Sequence, residues 1–358
     1  MQKNWNEAEL NILKSYKEIT YKEEQELAKV LKRSINSIDH KVRALGIPLI
    51  REQGEIKKKD NTSILIIKAL KEELSEPKSY QSAIPDKVDL KGDTLVIQLT
   101  DLHAGKIVKN QEGEVIYNEK VFRERIDKLC SQVLKLLDNN IAKGVKIKDV
   151  VILSTGDLAN GEGIYATQPY EQEIAPPAQV MLVVEVIKGL IVSLLARKLS
   201  VSFFGVRGNH GRTGKDTDVA SNWDVMIYMI LDFWSREVLK NPKLIIKYAE
   251  TEHLVIKIRN HGYLLRHIAP EQVDSPAGRV KINEWARQHN IEAVVYGHYH
   301  HFGIFDCDGI RVFRGGSIVG ADSLSESMAK HSEPIQILWG VNENRVSTFI
   351  YAVDLGRK

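Results

Sequence analysis

Cysteine is nearly missing from this 358-residue chain: only Cys130 and Cys307 occur, far apart in sequence. They cannot form a disulfide framework, and a reducing compartment is expected. Long apolar runs are missing as well. The longest, Val180 to Leu195, is interrupted by Glu185 and Lys188 and begins soon after Pro176-Pro177. A buried helix is expected there, not a membrane span. The opening MQKNWNEAEL carries no apolar signal core, so a cytoplasmic protein is expected. Charge of one sign is not in large excess. Fifty Lys and Arg against 47 Asp and Glu leave a formal net charge of +3, which alone says little about nucleic acid. No internal repeat or low-complexity tract is apparent. The length suffices for a sizeable core and for two domains, one of them small.

What the chain does have is an ordered set of carboxylate, amide and histidine motifs. They are Asp101-Leu102-His103, Gly156-Asp157, Gly208-Asn209-His210, His267 and Gly297-His298-Tyr299-His300. Most follow an apolar, β-branched run: Leu95–Leu99 before Asp101, Val150–Leu153 before Asp157, Val201–Phe204 before Asn209, Ala293–Tyr296 before His298. Such runs read as buried strands, and ligand sites gather at the carboxyl ends of strands. Asp101, His103, Asp157 and His300 suit one divalent ion. Asp157, Asn209, His267 and His298 suit a second, with Asp157 as the bridge. Mixed imidazole and carboxylate ligation favours Mn²⁺ first, with Fe, Zn²⁺ or Mg²⁺ as alternatives. Two such ions can activate a bridging hydroxide and clamp a phosphoryl group. His210 has no ligand role in this scheme and is the candidate general acid.

In content and order these motifs resemble those of the calcineurin-like metallophosphoesterases, over roughly Asp93 to the C-terminus. The resemblance implies a four-layer α/β/β/α sandwich with two mixed sheets. His267 is its least regular element. Ile268-Ala269-Pro270 follows where the family often has glycine, and His253 and His261 are nearby competitors. Asp157 is followed by Leu158-Ala159-Asn160-Gly161 and His210 by Gly211, which departs from the protein-phosphatase pattern. The chain is more similar to the DNA-repair nuclease branch and its phage and prophage relatives. The stretch Arg314–Asp322, continuing to Glu333–Gln336, also resembles phage-type members. Arg207, Arg212 and Asn160 are candidate substrate contacts beside the metal motifs.

Residues 1–50 read as a separate helical module. Leu10, Ile12 and Leu13, then Leu27, Val30 and Leu31, then Ile35, Ile38, Val42 and Leu45 have roughly helical spacing. Ser34 is a plausible N-cap, and Gly46 with Pro48 ends the third helix. Trp5–Glu9, Leu31–Ser34 and Lys41–Ile47 together resemble Myb/SANT-like helix-turn-helix domains, with Trp5 as the one tryptophan retained. That resemblance implies a third helix in the major groove of DNA, with Lys32, Arg33, Asn36, Ser37, His40, Lys41 and Arg43 as contacts. Residues 51–90 read as a linker, with a lysine run at 57–59 and a short helix over 63–73. Residues 91–358 form the catalytic domain.

The expected fold is thus α/β, a four-layer sandwich preceded by a small three-helix domain. The expected function is a two-metal phosphodiesterase, most simply a DNA nuclease. The competing readings are two. One is a phosphatase of a nucleotide, small molecule or phosphoprotein, its helical module docking a partner. The other is a DNA-binding regulator with a structural metal centre. A homodimer or a protein partner is compatible with the sequence.

Overall fold

The computed structural model describes residues 4–50, 92–142, 146–218, 220–320 and 332–356. The chain divides into two compact units, Met1–Ile84 and Pro85–Lys358. The expected linker, residues 51–90, with its lysine run and its short helix, lies outside the described residues. So do Ala321 and Asp322 of the C-terminal motif.

In the first unit, α1 (Glu7–Lys14) and α2 (Tyr21–Val30) each begin with a capping box. Asn6 and Glu9 close one reciprocally, and Thr20 and Glu23 the other, so amides otherwise left without helical partners are satisfied. The third helix, α3 (Ile35–Ala44), starts at the expected cap, with the Ser34 side chain accepting from Ser37 N–H. Gly46, at a φ of +69°, ends it. Leu13, Leu27, Ile38 and Val42 form the core, whereas Ile12, Val30 and Ile35 are exposed, contrary to expectation. Adjacent helical residues point about 100° apart, so Ile12 beside the buried Leu13 faces outward, and Val30 is the last residue of α2. A short parallel pair not expected from the sequence, β1 (Ile19–Thr20) with β2 (Leu49–Ile50), ties the end of the module to the turn before α2.

Arg33 is placed differently from the expectation of a phosphate contact. Its guanidinium pairs with both Glu9 carboxylate oxygens at 3.1 and 2.9 Å, donates to the Asn4 carbonyl and lies 4.0 Å from the Trp5 ring centroid. It fastens the start of α1 to the turn between α2 and α3. Lys32, Asn36, His40 and Arg43 remain exposed, Ser37 and Lys41 are half-buried, and Arg43 pairs with Asp39 one turn back.

The second unit is built on two mixed sheets. The first has six strands: β3 (Asp93–Leu99), β6 (Ile147–Ser154), β7 (Ser200–Gly205), β8 (Leu244–Tyr248), β14 (Ile335–Val341) and β15 (Ile350–Asp354). Their order is β15-β14-β3-β6-β7-β8, with β3, β6, β7 and β8 mutually parallel. The second sheet holds β9 (His253–Ile258), β10 (His261–Arg266), β11 (Ala293–Tyr296), β12 (Gly303–Cys307) and β13 (Ile310–Arg314), in the order β12-β13-β11-β10-β9. A small hairpin, β4 (Val108–Lys109) with β5 (Val115–Tyr117), stands apart.

Strand alternation sorts the core into layers. Leu338, Ile97, Ile152 and Phe203 lie side by side across the first sheet and face helices. Their neighbours Trp339, Val96 and Val151 face the second sheet, where Trp339 stacks on Phe313 with ring centroids 4.2 Å apart. The helices on the first sheet are α4 (Glu119–Ala142), α5 (Pro176–Ala196) and α6 (Trp223–Phe233), the last running on into a wider π-type turn, Trp234–Leu239. α7 (Pro276–His289) covers the second sheet through Ile282 and Trp285. The result is the expected four-layer sandwich. Among the described residues, α5 is the one helix long and apolar enough to cross a membrane. Val180, Val183, Ile187, Leu190, Ile191 and Leu194 are buried within the core of the first sheet, so it packs as the expected core helix.

Two boundaries moved. The helix expected from Thr217 begins at Trp223, because Asn222 folds its side chain over Asp224 N–H and caps it there. The short apolar run Leu244–Tyr248, interrupted by Lys247, was not assigned from the sequence, yet it pairs with β7 as an edge strand.

Candidate metal centre

Because β3, β6 and β7 run in parallel, their carboxyl ends share one rim of the first sheet. β10 and β11 do the same in the second. Asp101, Asp157, Asn209, His267 and His298 follow these five strands and converge between the sheets. The turns that carry them are strained. Eleven described residues other than glycine have positive φ, and five of them are expected ligands: Asp101 (51°), His103 (44°), Asp157 (55°), His298 (75°) and His300 (63°). Each such conformation costs on the order of 1–3 kcal/mol, and this concentration marks a functional site.

The donors form two groups, joined among the described residues by a third triad of His103, Asp157 and His210. In one, His103 Nε2 and His300 Nε2 lie 3.0 Å apart, with Asp101 Oδ1 at 3.9 and 3.5 Å from them. In the other, His267 Nε2 lies 3.0 Å from Asp157 Oδ2 and 2.7 Å from Asn209 Oδ1, and His298 Nδ1 lies 2.8 Å from that same amide oxygen. The proton pattern suits a cation. His267 Nδ1–H donates to the Thr155 carbonyl at 2.7 Å, so a neutral ring turns a lone pair at Nε2 toward the two oxygens. Asn209 Nδ2 donates to Tyr165 Oη at 2.8 Å, which fixes the amide with its oxygen inward. Nitrogen and oxygen lone pairs thus converge on one space, the donor chemistry of a mixed imidazole–carboxylate ion site. The competitors of His267 are elsewhere: His261 pairs with Glu292 and the Asn342 carbonyl, and His253 lies beside His289.

Electrostatics follow from burial. Burial pushes the Asp101 carboxyl up to about 7, with Asp157 adding to the rise and His267 opposing it. Burial alone would lower His267, but the Asp157 carboxylate outweighs it and lifts the imidazole to about 9. Burial holds His103 well below its ordinary value and brings His298 down to about 4, so both rings are neutral and ready to ligate. Bound cations favour deprotonated ligands. Uptake of Mn²⁺ near neutral pH is therefore expected to release protons, with affinity rising as pH passes from about 7 toward 9. Calorimetry in buffers of different ionisation enthalpy measures this; a pH-independent affinity over that range would contradict it.

His210, the expected general acid, also has a ring nitrogen within reach of the His103 and Asp157 donors. Its backbone N–H donates to Asp157 Oδ1 at 2.8 Å, and Nδ1 lies 3.2 Å from Gln168 Nε2. Its ring meets those of His103 at 4.6 Å and Tyr165 at 4.8 Å. Burial lowers its pKa, while Asp157 and the Asn160 carbonyl oppose the fall. Asn160 is buried in the same turn, and its side-chain amide has no hydrogen-bond partner among the described residues, which leaves it to serve a ligand or an ordered water. Arg212 donates to the Asn209 carbonyl and anchors the loop. Arg207 turns away to the Glu250 carbonyl and the Glu252 carboxylate.

Three residues escaped the sequence reading. Gln168 takes the Ile164 and Tyr165 N–H groups at its oxygen and offers its nitrogen to Asn160 and His210. Tyr165 holds Asn209. Asp224 lies at the start of α6 and accepts backbone N–H groups from the Asp157 and Gly208 turns. The pattern Asn222-Trp223-Asp224 was a readable helix start, but nothing local linked it to turns distant in sequence.

The family model for calcineurin-like phosphoesterases matches residues 94–302. No curated protein matches the chain. Similar solved structures include Vps29 from Entamoeba histolytica complexed with Zn²⁺, 16% identical, covering 73% of this chain and 99% of that one with a TM-score of 0.34. An archaeal phosphodiesterase is 12% identical over 73% and 99% of the two chains, TM-score 0.34. The hypothetical protein PH1004 of Pyrococcus horikoshii is 14% identical over 73% and 87%, TM-score 0.36.

Proposed function

The chain belongs to the calcineurin-like phosphoesterase family, and on that premise we propose that it is a two-metal phosphodiesterase acting on DNA, a nuclease of the phage or prophage type. The observation that supports the hydrolase reading is the convergence of Asp101, His103, Asp157, Asn209, His267, His298 and His300 in overlapping donor groups, with Asp157 beside His103 on one side and His267 and His298 on the other. Asp101, His103, Asp157 and His300 would hold one ion, and Asp157, Asn209, His267 and His298 the other, with Mn²⁺ the first choice. When bound, the pair supplies a hydroxide nucleophile at neutral pH and neutralises charge on the phosphoryl group.

The chain's own residues do the rest. His210 is held at its backbone by Asp157 and at its ring by Gln168, which suits a group that gives a proton to the leaving oxygen. Arg212 fixes the loop that carries Asn209 and His210, and the buried Asn160 amide is free to meet a phosphate oxygen or its water. The turn after Asp157 lacks the arginine and acidic groups of protein phosphatases, which supports a diester substrate.

DNA as the substrate rests on the first unit. The exposed part of α3, with Asn36, His40 and Arg43 and with Lys32 just before it, has the residue types that meet phosphates and base edges. Reversing charge at Lys41 and Arg43 is expected to weaken duplex binding and flatten its salt dependence, each lost phosphate contact lowering the log–log slope by about 0.9. Hydrolysis of bis-p-nitrophenyl phosphate should be unchanged, because no proposed ligand precedes Asp101. Equal binding and cutting of duplex by the reversed and native proteins at several salt concentrations would show that the helical unit does not target DNA. A protein-docking unit on a phosphatase would then be the better reading.

A further inference from the structure

We propose that Asp224 is the positioning residue of the metal centre: it sets the separation of the Asp157 and Asn209 turns without contacting an ion itself. This rests on the metal-binding reading above. Asp224 is fully buried, and no cation is paired with it among the ion pairs of the described residues. A buried carboxylate of that kind survives only if its lone pairs are filled by hydrogen bonds. Here backbone N–H groups fill them. Oδ2 accepts from Asp157 at 2.9 Å and from Gly208 at 2.8 Å. Oδ1 accepts from Leu158 at 2.9 Å, with Ala159 at 3.5 Å.

One carboxylate oxygen therefore bridges two turns that leave different strands. Asp157 follows β6, while Gly208 precedes Asn209 and His210 after β7. The two turns also meet directly: the Asp157 side chain accepts from His210 N–H at 2.8 Å, and glycine on both sides lets the backbones approach. A Cβ at Gly156 would strike the Gly208 backbone, and one at Gly208 would strike Asp157. Asp157 itself stands at a φ of 55°, a conformation that needs support from its surroundings. Asp224 supplies that support from a rigid element. Asn222 caps its N–H at 2.8 Å and donates to the Gly208 carbonyl at 3.0 Å. One turn further along α6, Tyr228 Oη donates to the Val206 carbonyl at 2.9 Å and lies 2.7 Å from Ser154 Oγ. The helix thus grips the ends of β6 and β7 at two levels. The upper grip fixes the turn of Asp157, the expected bridging ligand.

Asp224→Asn keeps the size but turns an NH₂ group toward N–H donors. Either the Asp157–Gly208 pair or the Leu158 amide then loses its acceptor, and the two turns move apart. Residues that orient metal ligands from behind typically change affinity by about 10–100-fold when altered.

The test is Mn²⁺ titration of the full chain, followed by calorimetry and by electron paramagnetic resonance of the bound ion, alongside thermal unfolding. Asp224→Asn is expected to remain folded, to bind Mn²⁺ about tenfold or more weakly, and to lose spin coupling between paired ions. Asn222→Ala loosens the same knot from one side and should give a smaller loss in the same direction; it decides the matter if Asp224→Asn does not fold. Leu231→Ala truncates a buried core residue on the same helix and serves as control. It should lower the melting temperature with Mn²⁺ affinity intact. Native Mn²⁺ affinity and coupling in Asp224→Asn would overturn the proposal. An equal loss of Mn²⁺ in Leu231→Ala would also overturn it, reducing Asp224 to general stability. Failure of the unaltered protein to bind Mn²⁺ or any comparable divalent ion would instead remove the metal reading itself.

Discussion

Replacing Asp157 by alanine is expected to empty both ion positions and to abolish diester hydrolysis. Asp157 links two of the donor triads, one with His103 and His210 and one with His267 and His298. Its Oδ2 reaches His267, while Oδ1 receives the His210 backbone and the rings of His103 and His210 lie on its other side. Removing it takes away the central negative charge among several imidazoles, and with it the reason for His267 to stand in that environment. Two ions contribute several kcal/mol of transition-state stabilisation. At about 1.4 kcal/mol per tenfold, their loss implies at least roughly a thousandfold fall in rate. Asp101→Ala and His298→Ala each touch one group and should weaken one ion more than the other. Asp157→Asn keeps an acceptor for His210 N–H without the charge, so it separates geometry from electrostatics. The measurement is elemental analysis of purified variants after equilibration with Mn²⁺. Full two-ion occupancy in Asp157→Ala would rule out the bridging role.

How much of this centre could be read from the chain depends on how locally each residue is specified. Asp101, Asp157, Asn209 and His298 each follow an apolar run, so a strand-end position was legible from a few neighbours. The four-layer sandwich was expected from the family resemblance; in the fold, strand alternation puts Val96 and Val151 on one face and Ile97 and Ile152 on the other. Arg33 was not legible. Its sequence neighbours Lys32 and Ser34 make it look like a helix-start cation, whereas its partner Glu9 is 24 residues away. Asp224 and Gln168 were missed on the same physical ground. Their meaning lies in backbone amides and a ring delivered by distant turns, and no periodicity reports those. His267 lay between the two cases. The hairpin β9–β10 was readable, but its choice over His253 and His261 came from the Thr155 carbonyl that orients it.

Changing His210 to alanine should separate catalysis from metal binding. The ring is proposed as the proton donor to the departing sugar oxygen, and it is not counted among the seven ligands. Two features make it more than a bystander. The Asp157 carboxylate holds its backbone, and Gln168 holds Nδ1, so the ring cannot swing freely. On balance burial lowers its pKa, with Asp157 and the Asn160 carbonyl opposing the fall. A deoxyribose alkoxide leaves poorly without a proton, and general-acid assistance is typically worth about 10²–10⁴-fold. Nitrophenolate leaves readily on its own. His210→Ala is therefore expected to cut DNA cleavage by about that factor. Hydrolysis of bis-p-nitrophenyl phosphate should fall far less, with Mn²⁺ content unchanged. Parallel steady-state assays on both substrates, with the metal content of the same preparations, provide the comparison. Equal losses on DNA and on the nitrophenyl diester would reject the acid role and make His210 a substrate-positioning group. Loss of one equivalent of Mn²⁺ would instead place it among the ligands, next to His103, whose ring it already meets at 4.6 Å.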